Sequence, residues 1–329
     1  MNIDKEQVIL ITGGSGFIGT HLVQYYRDRG CKTVNLDIAP PLDPTQNDSW
    51  IRQDLLDRDG LIRCVREVSP TVVVHLAART DLDESASVDD YAINIEGVSN
   101  LIDAVEAAGS VDRLIITSSM LVCAVGYRPK SDDDYSVSTV YGHSKVMTEK
   151  ITRERDPACT WTIVRPATIW GPYHEGLKNG FFRTVKKGLY LHPGNDSVIK
   201  SYGYVGNSVF QIRKLIEAEK SLVHRKTFYI SDPPADLRLW VDEVSRALVN
   251  RGVRVVPRWL MWIGAIFGDL ALKMGIKSFP LTTFRLKNMT TENIVDVESV
   301  LRVTGSIPIS MEQGVQETVR WLNRCKDFA

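Results

Sequence analysis

The chain has 329 residues, 43% of them hydrophobic and 24% charged, and its 40 Lys and Arg balance 40 Asp and Glu. That length suits one large domain or two closely joined ones, and the composition is that of a globular protein. The charge balance lacks the basic excess of a nucleic-acid binder, so no nucleic-acid partner is expected. The five cysteines (Cys31, Cys64, Cys123, Cys159, Cys325) are scattered and form no CxxC pair. Neither a metal site nor a disulfide framework is expected, and a reducing cytoplasm is the simplest location.

Met1–Gln7 is polar, and the apolar run Val8–Ile11 is too short for a signal-peptide core. Val8–Thr12 reads as a buried strand and Gly19–Arg29 as a helix closed by Gly30. Thr33–Asp37 is a strand, Leu61–Val68 a helix, and Thr71–Leu76 a strand. Asp90–Gly109 reads as a long helix, Arg113–Ser118 as a strand, Tyr141–Arg155 as a helix and Thr160–Val164 as a strand. Continuous Val/Ile-rich strands alternating with helices predict an α/β fold, a doubly wound parallel sheet covered on both faces.

After Gly171-Pro172 turns and aromatics increase and the alternation is lost. Ligands of a doubly wound sheet sit beyond the carboxyl ends of its strands. Residues 1–172 and about 201–250 are therefore expected to form the nucleotide-binding domain, with 173–200 and 251–329 as a smaller substrate lobe over that edge. Trp259–Ile276 is the most apolar stretch, but Asp269 and Lys273 interrupt it and its length is marginal for a bilayer span. A buried or amphipathic helix is expected, with no membrane span. Shallow membrane contact, or the lining of a greasy substrate site, are its other readings.

Gly13, Gly16 and Gly19 form a GxxGxxG turn between the first strand and the first helix. Such a turn lets a pyrophosphate approach the backbone and rest on a helix N-terminus. Asp37 ends the next strand, 24 residues after Gly13. A carboxylate there accepts from ribose hydroxyls and repels a 2′-phosphate, which favours NAD over NADP. Asp54-Leu55 follows a third strand and is placed to hold the adenine edge. His75-Leu76-Ala77-Ala78 ends the fourth, its small residues admitting the cofactor and His75 packing in the strand.

Tyr141 and Lys145 stand at i and i+4 and so share a helix face. A phenol's ordinary pKa of about 10 is too high for a base at neutral pH, but a neighbouring ammonium favours the phenolate. Tyr141 is then a candidate base, with Lys145 tuning it and holding a ribose. Ser119, at a strand end, is the candidate donor to the substrate oxygen, and Ser118 competes for that role.

Together TGGSGFIG, Asp37, QDLLD, HLAA, the NIEGVSNLIDAV helix, TSS, YGHSK and RPATIWGP resemble the extended short-chain dehydrogenase/reductase family, the NAD-dependent epimerase/dehydratases of sugar nucleotides. The resemblance implies a Rossmann fold and an enzyme with Ser119, Tyr141 and Lys145 as catalytic residues. It also implies an NAD site shaped by Gly13, Gly16, Phe17, Ile18, Asp37, Asp54, Leu55, Leu76, Ala77, Ala78, Asn94, Tyr141, Lys145 and Pro166. A homodimer through helices 90–109 and 141–155 is a further implication.

Dehydratases of this family carry Asp-Glu after the catalytic hydroxyl, where this chain has Met120 and Leu121. Dehydration is therefore disfavoured, as is 3,5-epimerisation, whose cysteine position is Leu121. The leading expectation is a C4-type epimerase acting on a nucleotide sugar through a transient ketone. In the lobe, Lys200 stands where the family grips the diphosphate with arginine, and Asn207 where it has aspartate. Arg285 and Asn179 are candidate substrate contacts beside Lys200. The tail (Pro257-Arg258-Trp259-Leu260 and Pro280-Leu281-Thr282-Thr283-Phe284-Arg285) resembles the 3β-hydroxysteroid dehydrogenase branch. The alternative is therefore a dehydrogenase or ketoreductase on a sugar nucleotide or an apolar alcohol, with a non-enzymatic NAD-binding regulator ranked last.

Overall fold

The structure, a computed structural model, describes residues 7–83, 85–276, 279 and 281–328. Met1–Glu6 of the polar opening segment and Pro280 of the tail motif lie outside the described residues.

Its frame is a seven-stranded sheet. β1 (Val8–Thr12), β2 (Lys32–Asp37), β3 (Trp50–Arg52), β4 (Val72–His75), β5 (Arg113–Thr117) and β6 (Thr160–Pro166) are joined by an edge strand, Lys226–Ile230. The order across the sheet is Lys226–Ile230, β6, β5, β4, β1, β2, β3, and every pair is parallel. Strand order reverses between β1 and β4, so the crevice at their carboxyl ends is the expected ligand site.

The strands are apolar on both faces because both are covered. In β1, Ile9 and Ile11 pack with α1 (Phe17–Arg27) and the Val205–Glu217 helix. Leu10 points the other way, among residues of α2 (Arg58–Val68) and α3 (Ala92–Ala108). Local chemistry sets the helix ends. The Asp57 side chain accepts from Gly60 N to cap α2, and Gly109 closes α3 at a φ of +65°. Thr139 Oγ1 accepts from Gly142 N to start α4 (Val140–Arg155), which packs beside α3.

The alternation missing from the sequence after Pro172 resumes in the structure. The Val205–Glu217 helix covers one face and Lys226–Ile230 adds the edge strand. That strand begins with a lysine and is only five residues long, so its apolar signal is weak. A separate core gathers Trp170, Phe182, Tyr204, Trp240, Val241 and Val315 beyond the sheet edge. The Arg258–Lys273 helix buries only Met261, Ala265, Gly268 and Ala271, so one face packs and the other is exposed. Among the described residues no helix is long and apolar enough to cross a membrane.

Candidate active site

A cleft of about 760 Å³ lies at the carboxyl ends of β1, β2, β4 and β5. The glycine turn forms its floor. Gly13 takes a φ of +71°, and a Cβ there would stand 2.5 Å from Ala77 N. A Cβ on Gly19 would stand 2.2 Å from Gly13 O, so α1 can start only because both positions lack a side chain. Gly16 caps α1 without a side-chain bond, and Gly13, Gly16, Phe17, Ile18 and Gly19 all line the cleft. A backbone cradle that any Cβ would fill, set on a helix N-terminus, fits a pyrophosphate.

Asp37 lies beside that turn. Its Oδ2 accepts from Ser15 N at 3.2 Å and its Oδ1 from Ala39 N at 3.0 Å. The Ser15 hydroxyl donates to Ala39 O, tying the turn to the strand that carries Asp37. Asp54, Leu55, Leu76, Ala77, Ala78 and Pro166 line the same cleft. Asn94 does not line it. Its amide is buried, donating to Arg79 O and Ser144 Oγ and accepting from Arg79 N, so it fixes the loop after β4 against α4. His75 is buried, its Nδ1 is 2.8 Å from Thr12 Oγ1, and burial lowers its pKa to about 3. A ring held neutral among strands is a packing residue.

Ser119, Tyr141 and Lys145 converge on the cleft. The Ser119 hydroxyl reaches the Tyr141 phenol, and its oxygen also accepts from Leu121 N at 3.1 Å. Ser118 also borders the cleft, but its hydroxyl donates to Glu149 Oε1 at 2.6 Å in a buried pair. Lys145 is buried and donates to Thr117 O at 2.9 Å. Burial lowers its pKa to about 8, with the Glu149 carboxylate pulling upward.

Burial pushes the Tyr141 phenol up to about 12, and the opposing influence comes from the Ser119 hydroxyl rather than from Lys145. The Lys145 ammonium donates to the Thr117 carbonyl.

Two participants escaped the sequence reading. Glu149 and Arg165 form a fully buried ion pair behind β5, with Arg165 Nε to Glu149 Oε1 at 2.7 Å and Nη2 to Oε2 at 2.8 Å. Tyr135 OH also donates to Glu149, and Arg165 donates to Tyr229 OH. Their only sequence signal is that Glu149 follows Lys145 by one helical turn and Arg165 precedes Pro166. His174 also lines the cleft, its ring centroid 4.7 Å from that of Phe17.

The three expected substrate residues are not gathered at the cleft. Lys200 is buried, with its ammonium donating to the carbonyls of Asn288 and Thr291. Asn179 is exposed and donates to Glu175. Arg285 borders a second chamber of about 500 Å³ lined largely by apolar and aromatic side chains, including Phe181, Tyr190, Leu191, Trp240, Met261 and Met289. The 166–177 segment forms a common wall, with Ala167, Ile169 and His174 on the cleft and Thr168, Trp170 and Leu177 on the chamber. Asn207 clasps the fold, donating to Asp232 and to Ile309 O.

The profile of the NAD dependent epimerase/dehydratase family matches residues 9–231. N-acetyl-alpha-D-glucosaminyl-diphospho-ditrans,octacis-undecaprenol 4-epimerase of Escherichia coli O157:H7 is 25% identical over 324 residues, covering 95% of this chain and 94% of the relative. The decarboxylating sterol-4-alpha-carboxylate 3-dehydrogenase of Saccharomyces cerevisiae is 26% identical over 350 residues, covering 98% and 99%. Among solved structures, the Thermotoga maritima UDP-glucose 4-epimerase with UDP-glucose superposes with a TM-score of 0.73 at 20% identity, covering 97% of this chain and 99% of that one. The Thermus thermophilus UDP-glucose 4-epimerase complexed with NAD gives 0.70 at 20% identity, covering 97% and 100%. With a matching profile over two-thirds of its length and an NAD-shaped glycine cradle, this chain belongs to the NAD-dependent epimerase/dehydratase family, an oxidoreductase or isomerase enzyme with a Rossmann fold and NAD as its cofactor.

Proposed function

We propose that this enzyme removes a proton and a hydride from a secondary hydroxyl on an amphiphilic substrate whose apolar part occupies the chamber beside the cleft. The observation that carries this reading is the chamber's lining of Phe181, Tyr190, Leu191, Trp240, Met261 and Met289, against a Lys200 ammonium held by two backbone carbonyls. An apolar lining with few polar groups selects apolar surface.

Ser119 donates to the substrate oxygen, Tyr141 takes its proton, and Lys145, anchored on the Thr117 carbonyl, would hold the cofactor's ribose. NAD supplies the hydride acceptor and a positively charged ring. Met120 and Leu121 carry no transferable proton, so the reaction stops at redox of one carbon.

A second reading keeps the nucleotide-sugar or lipid-linked-sugar 4-epimerase, in which the hydride returns to the other face of the transient ketone. Two observations favour it: the Escherichia coli relative is a 4-epimerase of a lipid-linked sugar, and Arg285 stands at the chamber border, where a diphosphate would find a guanidinium. Dimerisation through α3 and α4 belongs to either reading and is tested by light scattering on the purified chain.

The deciding experiment supplies NAD with sterol-type secondary alcohols, a polyprenyl-diphosphate sugar and UDP-sugars, following NADH absorbance and product NMR. Lasting NADH with an apolar alcohol supports the first reading. An inverted sugar with no lasting NADH replaces it with the second. Turnover of UDP-sugars alone removes the role assigned to the chamber.

A further inference from the structure

The Arg258–Lys273 helix is apolar almost all round, yet only one face is packed. Met261, Ala265, Gly268 and Ala271 are buried, and a Cβ on Gly268 would collide with Leu281 O, so the inner face sits close on the following segment. At 100° per residue the opposite face carries Trp259, Trp262, Ile263, Ile266, Phe267 and Leu270, each between 44% and 65% exposed. Met274, Ile276 and Phe284 continue the patch at 69%, 48% and 58%. A helix that is hydrophobic all round normally lies inside a core or a bilayer, and a contiguous exposed apolar surface marks an interaction site.

Charge identifies the occupant. Residues 251–287 contain seven Lys and Arg (251, 254, 258, 273, 277, 285, 287) against one acid, Asp269, in a chain whose net charge is zero. Asp269 is turned inward, accepting from Thr283 N. Arg258 pairs with Asp196 at 3.1 Å, whereas Arg251 and Arg254 just before the helix, Lys273 at its last residue and Lys287 are exposed. A second copy docking face to face would bring two such basic fields together, whereas an anionic surface complements them. Two tryptophans among aliphatic side chains, with lysine and arginine at the rim, is the pattern of a helix lying at a lipid interface. Sixteen residues span about 24 Å, short of the roughly 30 Å hydrocarbon core, so the helix lies along the surface rather than across it.

We infer that this face docks on an anionic lipid bilayer, with the Trp259–Leu270 stripe buried at the headgroup boundary and the surrounding Lys and Arg on the lipid phosphates. Met261, on the inner face of the same helix, lines the apolar chamber, so docking sets that chamber beside the membrane. The inference depends on the helix surface alone and stands whichever substrate the active site takes.

The test is flotation of the full chain with vesicles of phosphatidylcholine, with and without phosphatidylglycerol, at low and high salt. The chain is expected to float with the anionic vesicles, less with neutral ones, and less at high salt. The triple substitution Trp259→Ser, Trp262→Ser, Phe267→Ser is expected to cut the bound fraction roughly ten-fold or more. Because these side chains project into solvent, the variant is expected to keep its melting temperature and its NAD affinity; a variant that loses either is replaced by Arg254→Glu with Lys273→Glu, which is expected to abolish the preference for anionic vesicles. Failure of the native chain to float with either vesicle overturns the inference, as does flotation unchanged by both sets of substitutions. Self-association of the native chain that the triple variant abolishes, without flotation, assigns the face to a second copy instead.

Discussion

The proposed mechanism asks Tyr141 to give up its proton near neutral pH, while burial holds the phenol up at about 12. What opposes burial within the chain is the Ser119 hydroxyl, which lies near the phenol and lines the same cleft. Replacing Tyr141 with Phe keeps the ring's packing and removes the proton acceptor. The expected result is a fall in turnover of about 10²–10⁴-fold with NAD affinity within roughly two-fold of native; titration calorimetry beside a turnover assay separates the two, and normal turnover would falsify the assignment. Asp37 makes the complementary prediction for binding. Its carboxylate repels a 2′-phosphate, so Asp37→Ala is expected to weaken NAD about ten-fold and to narrow the preference over NADP. Part of that loss comes from the Ser15 and Ala39 amides that lose their acceptor. An unchanged NAD to NADP affinity ratio would move the ribose contact elsewhere.

At the scale of elements, the glycine turn, β1, β2, β4 and α4 were legible because local rules determine them. A Cβ-free turn, a Val/Ile run and an i, i+4 pair each announce themselves within a dozen residues. The Glu149–Arg165 pair was not legible, because its partners meet across α4 and β6 and a charged residue in a helix reads as solvated. Here it is sealed: both side chains have no exposure, and Ser118, Tyr135 and Arg153 also bond the carboxylate. Removing one partner of such a pair strands the other charge, at a cost of about 3–5 kcal/mol. Glu149→Gln is therefore expected to lower the melting temperature by several degrees, and Arg165→Met by a similar amount. The double variant should recover part of the loss, since neither charge is then left alone. Strictly additive losses in thermal melts would show that the pair does not act as a unit. The lobe was illegible for a related reason. Lys200 and Asn207 stand at family contact positions, but their partners, Asn288, Thr291, Asp232 and Ile309, come from up to 102 residues away.

Over the whole molecule, protonation links the two halves. His21 on α1 lies 2.9 Å from Pro172 O through Nε2 and packs edge-on against Tyr173, while His174 stacks near Phe17. These rings join the nucleotide half to the segment that walls the chamber. Burial lowers the pKa of His21, His75, His174 and His192, so all four are held neutral where an unfolded chain's histidines, near 6.5, begin to take protons. The sign follows from the depressed folded values. The contribution is fully present above about pH 6.5 and is lost as pH falls from there through each folded pKa, for His75 toward about 3, because the unfolded state then binds protons that the folded state refuses. Each such histidine adds a slope of about 1.4 kcal/mol per pH unit inside its window. Asp232, whose carboxyl burial raises to about 7, opposes one of these slopes because the folded state takes its proton first; the remaining three are expected to lower the melting temperature from pH 7 toward pH 5, with His75→Leu shallower by about one proton's worth of slope. His75 is the cleanest probe, since its folded value lies furthest below the window and its ring touches Thr12 rather than the lobe. His21→Asn addresses the seam itself and should loosen NAD binding on acidification less than the native chain does, because an amide at that position has no proton to gain. A native melting temperature flat across this range would mean that these rings are protonated without cost, and the seam would then have to be held by its aromatic packing alone.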